Sequence, residues 1–365
     1  MSKVGVGLLG SQFITAIHHE ALRSAPDAEV LAVASPTEQH VREFAAKRGI
    51  PRWFTDYHDL LNLSEIDLVV LGIPNDLHCQ AVLDAAAAGK HVVLEKPMAM
   101  TLAECDLMID ACRRAGVKLM YAEELCFAPK YVRLKQLVDS GALGRVHLVK
   151  QSEKHDGPHS DWFYNEQRSG GGVALDMGCH AVQFFRWLLS GKGGDNPPRA
   201  KSVYAHLTSS VHSQRTTADD DALIIVEFEG GITGLAEESW SKPGGMDDRA
   251  EVFGGEGQAY ADLLRGNSIH TYSKQGYDYA VEKSGGTKGW SFTMYEENWN
   301  YGFPQEMAHF VECVRDDKLP LVSGEDGRAT LEIILAAYAS AGQGRKIELP
   351  WASDTARPIE LWRGK

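Results

Sequence analysis

Two short stretches of this chain place ionisable side chains where chemistry would need them. The first is Gly89-Lys90-His91-Val92-Val93-Leu94-Glu95-Lys96-Pro97. Val92 to Leu94 is a continuous apolar run, the pattern of a parallel strand buried on both faces. Pro97 ends it, because proline cannot donate to a sheet ladder. Glu95 and Lys96 then fall at the carboxyl edge, where open α/β sheets bind ligands. A lysine there projects beside a cofactor lying across the sheet, or else forms a solvated pair with Glu95. The second stretch runs from Ser169 through Gly170, Gly171 and Gly172 to Asp176, Gly178 and His180. Asp176 and His180 are four apart and share a face if the segment is helical. A histidine can take a proton from a hydroxyl near neutral pH, and a carboxylate beside it can orient the ring. The same pair would also serve simply to stabilise a helix start. The triple glycine is expected to let the backbone approach a ligand closely.

The elements that must position these residues read as follows. Val4 to Leu9 is a buried strand running into Gly7-Leu8-Leu9-Gly10-Ser11-Gln12-Phe13-Ile14 and then a helix. A strand, a glycine turn and a helix place backbone N–H groups where a pyrophosphate sits. Gln12 and Thr15 replace the second and third glycines of the usual fingerprint. Glu29 to Ala34 is a second strand, ending in Ser35-Pro36-Thr37 rather than in an acid. The hydroxyls of Ser35 and Thr37 can bond a ribose hydroxyl or a 2′-phosphate, which leaves NAD and NADP both open. Ile66 to Ile73 is another strand, and the loop Pro74-Asn75-Asp76-Leu77-His78 follows at the same edge. Continued strand–helix alternation to Glu123 predicts a doubly wound parallel sheet with right-handed crossovers.

After Pro129 the pattern changes to long strand-like runs at Val146 to Glu153, Ser202 to Val211, Ala222 to Glu229 and Ile232 to Trp240. Helices are expected over Gly172 to Leu189, Gln305 to Arg315 and Ala329 to Ala341, with loops at Gly191 to Pro198 and Ser284 to Gly289. Separate runs of strands and helices predict an α+β domain with a mostly antiparallel open sheet. The expected division is a Rossmann domain over 1–125 and a substrate-binding and oligomerisation domain over 126–365.

The whole chain sets the bounds. Its 365 residues favour two domains. A net charge of -13 argues against nucleic acid or an anionic membrane as partner. The six cysteines are scattered without a C-x-x-C pair, which fits reduced thiols in a cytoplasm. The N-terminus shows no signal-peptide cleavage pattern, and no apolar run is long enough to span a bilayer.

Taken together, Gly7-x-x-Gly10, Pro74-Asn75-x-x-His78, Glu95-Lys96-Pro97 and the Gly170–His180 stretch resemble the Gfo/Idh/MocA family of sugar and polyol oxidoreductases. Phe310-Val311-Glu312-Cys313, Pro320 to Gly327 and Gly344-Arg345-Lys346 add to the likeness, which covers nearly the whole chain. It implies a nicotinamide cofactor, NAD or NADP, a carbohydrate or polyol substrate, and a homodimer or homotetramer formed through the open sheet. Carried over position by position, it makes Lys96, Asp176 and His180 catalytic. Gly7, Gly10, Ser11, Gln12, Phe13, Ile14, Ser35, Thr37, Pro74, Asn75, His78, Glu95 and Lys96 are then expected around the cofactor.

The substrate side departs from many relatives at Tyr121-Ala122-Glu123-Glu124, which lacks a basic or amide residue before Phe127-Ala128-Pro129. Strand alternation puts Gln151, Glu153 and His155 on one face. Glu123, Glu124, Glu153 and His155 are expected to bind substrate hydroxyls, ahead of a cationic ligand or a divalent metal, with Trp162 as a stacking surface. The expected activity is hydride transfer between NAD(P) and a secondary hydroxyl or ketone of a sugar, glycoside or cyclitol. Two alternatives share the fold: a redox-neutral, glycoside-cleaving enzyme with retained NAD, and a non-catalytic dinucleotide-binding sensor.

Overall fold

The computed structural model describes residues 3–264, 268–274, 288–294, 296–351 and 357–364. The loop expected over Ser284 to Gly289 lies largely outside these. The first part alternates β1 (Val4–Leu9), α1 (Phe13–Arg23), β2 (Ala28–Ala34), α2 (Glu38–Arg48), β3 (Arg52–Phe54), α3 (Tyr57–Leu61), β4 (Leu68–Leu71), α4 (His78–Ala87), β5 (His91–Leu94), α5 (Leu102–Ala115) and β6 (Leu119–Tyr121). Then come α6 (Pro129–Asp139), β7 (Val146–Lys154), α7 (Glu166–Ser169), α8 (Val173–Asp176), α9 (Gly178–Leu189), β8 (Ala200–Thr208), β9 (Asp221–Phe228), β10 (Ile232–Ser239), β11 (Asp247–Gly254) and β12 (Gln258–Asp262). The remainder is β13 (Ser268–Ser273), β14 (Gly289–Met294), α10 (Glu297–Tyr301), α11 (Phe303–Arg315), α12 (Gly324–Gln343), β15 (Ile347–Glu348) and α13 (Pro358–Arg363).

Two compact units result. The first holds residues up to Glu124 together with 303–331. Its six strands lie in the order β3-β2-β1-β4-β5-β6, all parallel, which is the doubly wound arrangement the alternation predicts. β1, β4 and the Val92–Leu94 core of β5 are buried on both faces, because helices cover both sides of such a sheet. Local signals close the helices. A Thr101/Glu104 capping box opens α5. Glycines with positive φ, Gly49 and Gly116, end α2 and α5. The segment 303–331, which the sequence assigns to the second domain, packs here instead: Phe303 meets His18 edge to face and Arg315 pairs with Asp27.

The second unit holds Leu125–Gly302 and most of the chain from Glu332 onward. Its seven-stranded sheet has the order β12-β11-β7-β10-β9-β8-β15. Only β7 and β10 pair in parallel; the other neighbours are antiparallel. The four long strands expected from the sequence are present, whereas β11 and β12 were not anticipated. β11 alternates buried Asp248, Ala250 and Val252, and its acidic start masks the period-2 signal. The helix expected over 172–189 is interrupted: α8 ends at Asp176, Met177 lies between the two helices with right-handed backbone at φ -106 and ψ -30, and α9 starts at Gly178.

Candidate functional site

In the first unit the glycine turn, the 74–78 loop and Glu95-Lys96 all leave the carboxyl ends of neighbouring strands β1, β4 and β5. Gly10 has φ +109, and a Cβ there would lie 2.2 Å from the Gly72 carbonyl oxygen. Only glycine can make that turn. Gly7 serves packing: its missing Cβ leaves room for the Leu60 side chain, 2.5 Å from the position that atom would take. α1 starts at Phe13 with no acidic residue in its first turn, which suits a bound phosphate. Gln12 and Phe13 are exposed, and Ser11 and Ile14 are half-buried. The Ser11 hydroxyl donates to Ser35 at 2.9 Å, so the glycine turn and the end of β2 meet through two hydroxyls. Thr37 is exposed at the N-cap of α2. Pro74 precedes a single turn of tight helix containing buried Asn75. His78 is fully buried, its ring against the carbonyls of Ile73 (2.9 Å) and Pro97 (3.0 Å). Burial holds its pKa below the ordinary value, and the ring ties the loop to the end of β5.

Glu95 is buried against His18 of α1, with Oε1 2.6 Å from Nε2. Its other oxygen accepts the Lys96 backbone N–H at 3.0 Å, so the helix behind the glycine turn fixes the strand end that carries half-buried Lys96. Glu123 follows β6, is completely buried, and donates its backbone N–H to Glu306 of α11 at 2.7 Å. Burial pushes the Glu123 carboxyl well up, the Lys96 charge opposes that rise and Glu95 adds to it. Burial and then Glu124, Glu95 and Glu123 push Glu306 up as well. A buried carboxylate group beside one lysine is therefore built into this unit, and sequence reasoning missed Glu306 because it arrives about 180 residues after Glu123.

In the second unit Asp176 and His180 are both buried, on either side of the break at Met177. The His180 backbone N–H donates to the Met177 carbonyl at 3.0 Å. The Trp240 indole donates to Asp176 Oδ2 at 3.2 Å, a partner that no local pattern announced. Phe163 and Tyr164 pack edge to face on Trp240, and Trp162 stacks on Phe163 with ring centroids 3.8 Å apart. Trp162 is thus the half-buried outer ring of an aromatic group that begins beside Asp176.

Gln151, Glu153 and His155 are buried on one side of β7, as alternation predicts. His155 lies just past the strand end, and its Nδ1 accepts the Gly157 N–H at 3.0 Å. Glu153 is in register with Glu238 of β10 and with Asp248 of β11. Burial raises the pKa of both Glu238 and Asp248, and Tyr131 of α6 donates to Asp248. An acidic row thus crosses three strands next to the row of His155 and Trp240.

Gly171 and Gly172 differ from the expectation. They face protein, not ligand space: a Cβ on Gly171 would meet the Tyr338 hydroxyl at 2.6 Å, and one on Gly172 would meet the Asp219 carbonyl at 1.9 Å. The run Asp219-Asp220-Asp221 before an apolar strand was the available signal. Asp219 takes the N–H groups of Gly172 (3.1 Å) and Ala174 (2.7 Å). Asp220 takes those of Ser210, Val211 and His212, each at 2.7 Å.

A parallel sheet in this strand order with a glycine turn after β1 defines a dinucleotide-binding fold. The chain belongs to the GFO/IDH/MocA oxidoreductases: residues 4–123 match the family's NAD-binding Rossmann fold and 131–260 its C-terminal domain. It is 28% identical over 347 residues to the myo-inositol 2-dehydrogenase of Thermotoga maritima, covering 94% of this chain and 98% of that one. With the trans-1,2-dihydrobenzene-1,2-diol dehydrogenase of Mus musculus it shares 30% identity over 263 residues, 72% of this chain and 74% of the relative. Among solved structures, GenD2 from gentamicin A biosynthesis in complex with NAD superposes with a TM-score of 0.88 at 29% identity, covering 96% and 97% of the two chains. No helix among the described residues is long and apolar enough to cross a membrane.

Proposed function

We propose that this oxidoreductase transfers a hydride between NAD(P) and a secondary hydroxyl or ketone of a sugar, glycoside or cyclitol. The observation that carries this reading is the start of α9. Asp176 and His180 are kept out of solvent there, 8% and 2% exposed, and a packing role alone does not call for two buried titratable groups. The full-length likeness to a cyclitol dehydrogenase supports the substrate class.

A bound nicotinamide would supply the hydride acceptor or donor. The chain's own part is proton handling and orientation. His180 takes the proton from the substrate hydroxyl, and Asp176, steadied by Trp240, tunes that imidazole. Lys96 donates to the same oxygen and stabilises developing alkoxide charge. Glu123, Glu124, Glu153 and His155 recognise the remaining hydroxyls, with Trp162 against a ring face.

Cofactor binding is assigned to the turn Gly10–Ile14, which Gly7 supports from within the sheet, and to Pro74, Asn75 and His78, Glu95 and Lys96. Ser35 and Thr37 stand beside the ribose. The Ser11–Ser35 hydroxyl pair suits an uncharged ribose edge, which favours NAD; titrating both dinucleotides under one set of conditions tests this. Apolar Tyr204, Leu223 and Ile225 are exposed on β8 and β9, and self-association through that sheet face is the expected assembly, to be measured by sedimentation.

The deciding experiment is a screen of inositols, sugars and glycosides with NAD⁺ or NADP⁺, followed by a progress curve at limiting cofactor. Ketone formed in proportion to cofactor reduced supports net dehydrogenation. Many product equivalents per cofactor, with no lasting rise in reduced nicotinamide, would replace it with a redox-neutral cycle.

A further inference from the structure

We propose that Asp219 is a positioning residue for the reaction assigned to Asp176 and His180, a latch that fixes the helical turn carrying Asp176. The inference rests on the function proposed above. α8 is a single turn of four residues, too short to hold its own direction, so its orientation is set by what anchors its ends. One residue provides the anchor at the N-terminal end. Asp219 accepts three successive backbone N–H groups: Gly172 through Oδ1 (3.1 Å), Val173 through its own main-chain carbonyl (3.0 Å) and Ala174 through Oδ2 (2.7 Å).

Tyr338 of α12 closes the arrangement. Its hydroxyl donates to Asp219 Oδ1 at 2.6 Å and accepts from the Gly172 N–H at 2.9 Å. Gly171 and Gly172 are glycines because Tyr338 and Asp219 occupy the space a Cβ would need. Asp219 and Tyr338 are both fully buried, so neither bond exchanges with water.

At its far end the turn runs through Met177 into α9, and the Asp176 carboxylate is tied through the same segment as the N-terminal anchor. The next residue, Asp220, accepts the Trp240 backbone N–H through its main-chain carbonyl at 2.8 Å. The Trp240 indole in turn bonds Asp176 Oδ2. Residues 219–220 therefore hold both partners of the Asp176–Trp240 bond, one through α8 and one through the end of β10. Displacing Asp219 moves Asp176 relative to its indole donor, and misplacement by about 1 Å costs on the order of 10²-fold in rate.

The test reads position and turnover separately. The protein, with [15N]-tryptophan at its eight tryptophans, gives indole N–H signals, of which Trp240 is assigned by its loss in Trp240→Phe. Asp219→Asn keeps the side-chain shape but sets an amide NH₂ against a backbone donor. The expected result is a displaced Trp240 indole signal and a kcat about 10²-fold lower on the polyol that best supports NAD⁺ reduction, with KM and the NAD dissociation constant close to wild type. Tyr338→Phe should act in the same direction more weakly, and decides the matter if Asp219→Asn fails to fold. An unmoved Trp240 signal with wild-type turnover in the folded variant overturns the latch. Wild-type turnover in Asp176→Asn would instead remove the catalytic reading on which it rests, leaving the indole shift as the measure of the latch alone.

Discussion

Asp219 also makes a stability prediction with a definite sign. Its carboxyl is fully buried, and burial raises its pKa from 3.8 to about 6 against the lowering effect of Tyr338 and of the Ala174 and Gly172 N–H groups. Between those two values the native protein keeps a proton that the unfolded chain has released. Unfolding free energy therefore falls as pH rises through the window and is level above it. The full shift is worth about 3 kcal/mol, and about 2 kcal/mol of it falls between roughly pH 4.5 and pH 7.5. Asparagine cannot titrate. Asp219→Asn loses part of the hydrogen bonding at every pH, about 1–3 kcal/mol for a donor left unmatched, and escapes the buried charge only at the higher pH. Measured against wild type by urea unfolding followed by circular dichroism, the variant should gain about 2 kcal/mol in relative stability on going from about pH 4.5 to about pH 7.5. Equal differences at the two pH values would show that the backbone donors fully compensate burial and that the carboxyl is not shifted.

Lys96→Ala and His180→Ala should each lower turnover by about 10² or more in protein that still folds, with the buried His180 variant the less stable of the two; wild-type kcat in both would refute the assigned roles. Gly10→Ala places a methyl against the Gly72 carbonyl at a positive φ and should cost about 2 kcal/mol or more, read by thermal unfolding, with an unchanged midpoint counting against the turn as described. His18→Leu breaks the buried pair with Glu95 and should destabilise by about 3 kcal/mol; urea unfolding indistinguishable from wild type would show that Glu95 is held by other groups. Trp240→Phe removes the indole donor to Asp176 while keeping a ring, so turnover should fall by more than folding stability. Equal turnover would mean that the indole bond does not tune Asp176.

Much of this architecture was legible along the chain because local periodicity encodes local structure. Continuous apolar runs marked β1, β4 and β5 as strands buried on both faces, and the charges after Leu94 marked a sheet edge. Alternation placed Gln151, Glu153 and His155 together, and the spacing Gly172, Asp176, His180 singled out the stretch around α9. What the sequence could not say is which side chains from distant elements meet there. Asp219 reaches Gly172 across 47 positions, Trp240 reaches Asp176 across 64, and Tyr338 reaches Gly172 across 166. Those meetings depend on strand order, register and the path of α12, none of which leaves a periodic trace. The same holds for 303–331, a helical pattern in sequence that joins the first unit through contacts such as those of Phe303, Glu306, Arg315 and Val322. Glycine is the clearest case. The sequence required a close approach at Gly171 and Gly172, and only the tertiary structure showed that the approaching groups are a tyrosine hydroxyl and an aspartate backbone, because a missing Cβ specifies room without specifying the occupant.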